Sequence, residues 1–259
     1  MRPLDGVGVL VTRPQTQATP LCRLLEERGA TTVRLPAIVI EPAASHRELA
    51  ARLGELGESD LVVFTSANAV RFGAALLDQR RDLALAAIGP ATMRALNQAG
   101  YRIAIMPAGG FDSEHLLAEP GLQHLAGRRV VIVKGVGGRE LLAAEFAKRG
   151  ATVQSIEVYR RTPATPGVER LRRVEEQLAA GELQVVTATS LEIGAALLGF
   201  ATPELRAALE GLHWLVPGAR VAAGLARLGL RAPVIEAASA EDQELVEALL
   251  RWRSIASGA

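Results

Sequence analysis

A fifteen-residue phrase that occurs twice is the feature that most constrains how this chain can fold. The first copy, RGATTVRLPAIVIEP, runs from Arg28 to Pro42, and the second, RGATVQSIEVYRRTP, runs from Arg149 to Pro163. The second copy lies 121 positions after the first, and it alone carries a tyrosine, Tyr159. A repeat at this distance indicates a duplicated domain, because the stacked units of a solenoid recur every ~20–50 residues.

Further segments repeat in the same order, each an apolar run followed by a turn or a helix-like stretch. The pairs are GVLVTR (8–13) with RVVIVK (129–134), DLVVFTS (60–66) with LQVVTATS (183–190), and AAIGPATMRALNQAG (86–100) with WLVPGARVAAGLARLG (214–229). Chance could supply one short match, but several matches in order indicate two copies of one α/β unit.

Short apolar runs alternate with helical stretches along the chain. The predicted strands of the first half are GVLVT (8–12), DLVVFTS (60–66), LAAIG (85–89) and RIAIMP (102–107). Residues 14–28 have leucines at helix-face spacing, and Gly29 follows as a helix-ending residue. Pro36 interrupts the extended run after it, since proline cannot donate to a central ladder. The β-α-β order predicts parallel sheets.

Composition excludes several classes of protein. The 259 residues are 49% hydrophobic, and 29 basic side chains nearly cancel 28 acidic ones, so we expect no dedicated nucleic-acid surface. No run approaches the ~18 apolar residues of a membrane span, and no signal peptide is recognisable. We therefore expect a soluble, cytoplasmic protein.

Cys22 is the single cysteine, and its expected role is that of a small apolar residue buried in a helix. The four histidines lack the spacing of a metal site.

The residues that follow each strand are the candidates for ligand binding, because open parallel sheets bind ligands outside the carboxyl ends of their strands. They are rich in hydroxyls, glycines and cations in both halves, which suits an anion at a helix N-terminus. The candidate binding residues are Arg13, Ser66, Ala67, Asn68, Thr92, Lys134, Gly135, Thr189, Ser190, Gly218 and Arg220.

Structural explanations for the same residues stay open. Serine and threonine at a helix start are ordinary N-caps, each worth ~1 kcal/mol to the helix without any ligand. Arg13 and Lys134 are more informative, since a cation at a helix N-terminus opposes the macrodipole. A long side chain that simply extends into solvent is the alternative for these two residues.

The segment GVGGRE (135–140) allows a nucleotide-binding interpretation. It follows a predicted strand, and Glu157 lies 22 residues after Gly135, near the place of a ribose-binding acid. Glu140, however, occupies the sixth position, where the dinucleotide fingerprint has Gly or Ala. Nucleotide binding therefore stays an alternative, as does a non-catalytic protein that binds an anionic small molecule.

Five segments together resemble the uroporphyrinogen-III synthase family, and the resemblance extends from about Val7 to Leu250. They are VLVTRP, RGATTVRLPAIVIEP, VVFTSANAV, AIGPATMRAL and RGATVQSIEVYRRTP, in this order. The resemblance implies two similar, doubly wound α/β domains joined by a two-stranded linker. One domain would comprise residues 1–35 with 164–259 and the other residues 46–155, with linker strands at 36–45 and 156–163.

The resemblance also implies an activity. Such synthases cyclise hydroxymethylbilane, a linear tetrapyrrole with eight carboxylates, to uroporphyrinogen III, with loss of water and inversion of the last pyrrole ring. It implies a monomer without metal or organic cofactor. Tyr159 matches the family's tyrosine, thought to assist loss of the hydroxyl group, and Ser66 and Thr92 match two further hydroxyl residues. Val221 stands where the second half would have the counterpart of Thr92, so Arg220 and backbone N–H groups would serve there.

Overall fold

The computed structural model describes residues 2–43, 46–53, 60–77, 80–138 and 140–256. The end of the predicted first linker strand (44–45) and Arg139 of the GVGGRE segment lie outside the described residues. The chain divides into two compact units, Met1–Val39 with Thr162–Ala259, and Ile40–Arg161. None of the helices described is long and apolar enough to cross a membrane.

The first unit is built on a parallel sheet. Its described strands are β1 (Gly8–Val11), β2 (Thr31–Arg34), β8 (Val185–Thr187), β9 (His213–Pro217) and β10 (Val234–Ala237). They lie in the order β10-β9-β8-β1-β2, and each neighbouring pair is parallel. Its described helices are α1 (Gln15–Glu27), α7 (Val168–Ala179), α8 (Leu191–Phe200), α9 (Pro203–Glu210), α10 (Ala219–Arg227) and α11 (Asp242–Ala256).

The second unit contains the other sheet. Its described strands are β3 (Ile38–Pro42), β4 (Leu61–Phe64), β5 (Ala84–Ala87), β6 (Arg129–Gly135) and β7 (Thr152–Pro163), in the order β3-β7-β6-β4-β5. Its described α-helices are α2 (His46–Leu53), α3 (Ala67–Gly73), α4 (Pro90–Gln98), α5 (Ser113–Ala118) and α6 (Leu141–Lys148). Its described residues also form 3₁₀ turns at Ala74–Leu77 and Pro120–Leu122.

The two sheets share the order of four strands. The order β9-β8-β1-β2 in the first corresponds to β5-β4-β6-β7 in the second, which is the pairing that the repeated segments predict. The sheets do not follow the sequence halves, because β1 and β2 precede the whole second unit and β8 to β10 follow it. The predicted fold class, a duplicated pair of doubly wound α/β units, is therefore confirmed, with the two halves interleaved.

The predicted strand RIAIMP (102–107) is reduced to a single bridge between Ala86 and Ile105. It lies beside β5, where the first unit has β10 beside β9. Backbone N–H groups of both Ala104 and Ile105 donate to the carbonyl of Leu85. Sharing one acceptor breaks the even spacing of a parallel ladder, so no strand propagates.

The chain passes from one sheet to the other around Pro36. β2 ends at Arg34 in the first sheet, and β3 begins at Ile38 in the second. This agrees with the prediction that Pro36 interrupts the extended run. Gly29, with a φ of 103°, allows the sharp turn from α1 into β2, and it has the conformation expected of a helix-ending glycine.

The central strands are buried on both faces, as parallel strands covered by helices must be. In the first unit Leu10 belongs to one apolar cluster, and Val9 and Val11 belong to the other. In the second unit Phe64 belongs to one apolar cluster and Val63 belongs to another, on the opposite face of the sheet. Neighbouring residues of a strand point to opposite faces of the sheet. Because both faces are buried here, β1 (GVLV) and β4 (LVVF) contain no polar residue.

Candidate functional site

The carboxyl ends of β4, β6 and β7 bring several predicted residues together in the second unit. β4 pairs with β6, and β6 pairs with β7. Ser66 follows β4 and is the N-cap of α3, because its Oγ accepts a 3.0 Å hydrogen bond from the backbone N–H of Ala69. Ser66 therefore has the N-cap role that the sequence allowed. Its hydroxyl also has a second neighbour.

That neighbour is Tyr159, whose ring lies over Gly135. The register of β6 and β7 shifts after Lys134, so that Gly135 pairs with Tyr159, and the N–H of Val136 donates to the carbonyl of Tyr159 at 2.8 Å. A Cβ at position 135 would lie 2.6 Å from Cζ of Tyr159. Gly135 is needed there because only hydrogen leaves room for the ring.

The hydroxyl of Tyr159 lies 3.2 Å from Oγ of Ser66, and either oxygen can donate. Tyr159 is buried, with 4% of its surface exposed, and the ring of Phe72 stacks on it with a centroid distance of 6.0 Å. Nη2 of Arg161 lies 3.3 Å from the phenol oxygen. The separation of the two hydroxyls exceeds the usual O–H···O distance.

Two of these neighbours, Phe72 and Arg161, were missed from sequence. The signal for Arg161 was available, because residues two apart on a strand project from the same face. Phe72 had no such signal, since its contact depends on how α3 packs against β7. The neighbourhood of Tyr159 therefore combines two hydroxyls, one guanidinium and an aromatic face.

Lys134 ends the buried part of β6. Its side chain is 9% exposed, and Nζ lies 2.6 Å from the carboxylate of Glu140, a mostly exposed residue at the start of α6. The alternative that Lys134 simply extends into solvent is thereby wrong. The cation is held near the strand end by a partner that solvent can reach.

The other predicted residues of this unit differ in exposure. Ala67 and Asn68 are partly exposed in the first turn of α3. Thr92, in the first turn of α4, is only 3% exposed. The side chain of Phe111 covers the start of the same helix, since a Cβ at Gly89 would lie 2.9 Å from Cβ of Phe111. Thr92 thus lies beneath the surface of the strand end.

In the first unit, Arg13 has a protein partner. Its guanidinium forms an ion pair with Asp242, and Nη2 donates to the carbonyl of Ala240 at 2.9 Å. The side chain is 12% exposed, and its Nε is buried without a hydrogen-bond partner. Arg13 therefore anchors the start of α11 to the carboxyl end of β1.

The remaining predicted residues of the first unit lie at the ends of β8 and β9. Ser190 is the N-cap of α8, and its Oγ accepts from the N–H of Ile193 at 3.2 Å; Thr189 beside it is partly exposed. Gly218 has a φ of 74° and precedes α10, where Arg220 is exposed. Val221 is buried, like Thr92 at the corresponding place.

Gly137 of the GVGGRE segment is engaged by a carboxylate of the protein. The carboxylate of Glu157 accepts a hydrogen bond from the N–H of Gly137 at 3.1 Å. A carboxylate in this loop places negative charge where a dinucleotide would bring its pyrophosphate. The contact argues against the nucleotide-binding alternative.

Comparison with known proteins agrees with the fold. Residues 20–247 match the family model described as uroporphyrinogen-III synthase HemD. The chain is 35% identical over 193 residues to uroporphyrinogen-III synthase of Escherichia coli K12, which covers 72% of this chain and 77% of that protein. It is 33% identical over 193 residues to the Chlorobaculum parvum synthase, covering 70% and 74%.

Solved structures show the same architecture. The crystal structure of a mutant uroporphyrinogen III synthase from Thermus thermophilus covers 98% of this chain and 100% of its own, with a TM-score of 0.58 and 23% identity. The Helicobacter pylori synthetase covers 95% and 99%, with a TM-score of 0.62 and 14% identity. From the extent of the family match and of the two relatives, the chain belongs to the uroporphyrinogen-III synthase family.

Proposed function

We propose that the chain cyclises hydroxymethylbilane to uroporphyrinogen III, and that Tyr159 with Ser66 promotes the loss of water that starts the reaction. The observation that carries the site assignment is the hydroxyl pair of Ser66, after β4, and Tyr159, in β7, 3.2 Å apart in a member of this family. The enzyme would act as a cytoplasmic monomer without a cofactor. The proposed domains are residues 1–35 with 164–259 and residues 46–155, joined by strands at 36–45 and 156–163.

The chemistry needs a proton donor more than a strong base. A proton delivered to the terminal hydroxyl of the substrate lets the C–O bond break, and the oxygen departs as water. The cation that remains on the pyrrole methylene is reactive by itself. The protein then holds the chain so that the last ring attacks through its substituted carbon, and this positioning is a sufficient source of isomer specificity.

The carboxylates of the substrate need cations and polarised N–H groups. Lys134, at the end of the buried part of β6, would supply one charge, and Arg220, at the start of α10, would supply another. Helix N-termini favour anions as well. We propose the other predicted residues as further substrate contacts: Arg13, Ala67, Asn68, Thr92, Gly135, Thr189, Ser190 and Gly218.

The test is a coupled assay that supplies hydroxymethylbilane and separates the oxidised type I and type III isomers by chromatography. Protein-free and heat-denatured controls give type I by spontaneous closure, and the native protein should give type III. Type I alone at the uncatalysed rate would overturn the proposed activity and leave the non-catalytic binding protein as the alternative. A thermal shift with NAD or ATP, which we do not expect, would favour the nucleotide-binding alternative.

A further inference from the structure

Arg161 contacts Tyr159 in two ways. Its Nη2 lies 3.3 Å from the phenol oxygen, and its Cζ lies 5.6 Å from the centre of the ring. Both residues belong to β7 and project from one face of it. A guanidinium has donors and no acceptor, so this hydrogen bond has a single direction: Arg161 donates, and the phenol oxygen accepts.

That direction restricts what the Ser66–Tyr159 pair can do. Oγ of Ser66 already accepts from the N–H of Ala69, and the phenol oxygen accepts from Arg161. The two hydroxyls carry two protons between them, and their mutual bond uses one, whichever residue donates. The second proton is then available to a third partner, so the pair meets a ligand as a hydrogen-bond donor.

We propose that Arg161 is a positioning residue for the cyclisation, and that it acts through Tyr159; this inference rests on the proposed function. The second proton of the pair passes to the terminal hydroxyl of the substrate, and the C–O electron pair leaves with the oxygen as water. The pair is left with an oxyanion, which the adjacent guanidinium stabilises by a charge-assisted hydrogen bond. When the ring has closed, the substrate loses a proton from its tetrahedral carbon, and that proton restores the pair.

This role differs in its kinetics from a direct contact with a substrate carboxylate. A group that assists only the bond-breaking step affects kcat, whereas a group that binds ground state and transition state alike affects KM. Arg160 offers a matched control in the same strand. It projects from the opposite face, where its Nη2 donates to the carbonyl of Ala43 at 2.7 Å.

The experiment is a double-mutant cycle on kcat for type III formation, with Arg161→Met, Tyr159→Phe and the double variant. We expect Arg161→Met to lower kcat about ten-fold, the loss of one hydrogen bond to a charged group, with KM within about two-fold. In the Tyr159→Phe background the same substitution should have no further effect, because phenylalanine has no oxygen to accept the bond. Arg160→Met should have wild-type kcat.

Three outcomes would overturn the inference: wild-type kcat in Arg161→Met, a raised KM with unchanged kcat, or equal loss in both backgrounds. If Arg161→Met melts below the assay temperature, Arg161→Lys replaces it in the same cycle, with a smaller loss expected and wild-type kcat as the contrary result. Wild-type protein that forms only the type I isomer would instead show that the proposed function has failed.

Discussion

Gly135 lies against the ring of Tyr159 so closely that a Cβ there would stand 2.6 Å from Cζ and 2.9 Å from the hydroxyl oxygen. In sequence, Gly135 opens a segment that resembles a phosphate-binding loop. In the structure it makes room for an aromatic ring on the neighbouring strand. The glycine is therefore explained by the tyrosine and not by a nucleotide.

Gly135→Ala should destabilise the protein by about 1–3 kcal/mol, the usual cost of overpacking, and should lower type III formation by displacing the ring. Urea unfolding measures the first effect and the isomer assay the second. Because the clash is with one side chain, Gly135→Ala should cost nothing in a Tyr159→Ala background.

Gly199→Ala is the matched control for that substitution. Gly199 lies within α8, and a Cβ there would meet nothing within 4 Å. Alanine is favoured over glycine in a helix by up to about 1 kcal/mol, so this variant should be as stable as wild type or more so. Equal destabilisation of both variants would contradict the steric explanation for Gly135.

Tyr159→Phe should reduce type III formation without abolishing it, since Ser66 keeps a proton to donate. As the enzymatic step slows, spontaneous closure competes, and the share of type I isomer should rise. The measurement is the isomer ratio at fixed enzyme concentration. Full activity in Tyr159→Phe would remove the phenol from the mechanism.

Ser66→Ala should lose a helix cap, worth about 1 kcal/mol, and with it the proposed partner of Tyr159 in the reaction. Thr202→Ala separates the two effects, because Oγ1 of Thr202 caps α9 by accepting from the N–H of Leu205 at 3.0 Å. We expect a similar loss of stability in both variants by thermal or urea unfolding, and a loss of activity in Ser66→Ala alone. If Ser66→Ala and Thr202→Ala have the same activity, Ser66 serves only as a helix cap.

Asp242→Asn should destabilise the protein by about 2 kcal/mol, because it removes the charged partner of a mostly buried arginine. Glu244→Gln is the control, since both acids lie in the first turn of α11 and both favour its dipole. Urea unfolding of the two variants isolates the pair with Arg13. Equal losses would mean that the helix dipole, and not the ion pair, explains the effect.

Asp112 should make stability depend on pH. Hydrogen bonds from the backbone N–H and the ring of His115 hold the pKa of Asp112 below its usual value. A carboxyl group whose pKa is lowered by folding stabilises the protein above its unfolded pKa, and this contribution disappears as the pH falls through the folded pKa. Asp112→Asn should therefore melt below wild type at pH 6, and the difference should shrink as the pH falls through the folded pKa of Asp112. A constant difference would contradict the assignment.

The fold was largely predictable from residues 28–42 and 149–163. The repeated phrase indicated two copies of an α/β unit, and the apolar runs located β1, β4, β6, β8 and β9. The strand predicted for RIAIMP (102–107) forms only a single bridge. Strand propensity does not show that two of its backbone N–H groups share one acceptor. The site was predictable in part: Tyr159, Ser66 and Gly135 meet, whereas Arg13 is engaged by Asp242.

The sequence by itself determined the duplication, the parallel α/β class and the family, because these depend on local periodicity and on the order of motifs along the chain. Only the tertiary structure decided the register between neighbouring strands and which side chains meet. β6 and β7 had to pair with a shift after Lys134 before Tyr159 could reach Gly135. α3 had to pack beside them before Ser66 and Phe72 could contact Tyr159. Such contacts depend on register and packing between distant segments, and no local pattern in the sequence encodes them.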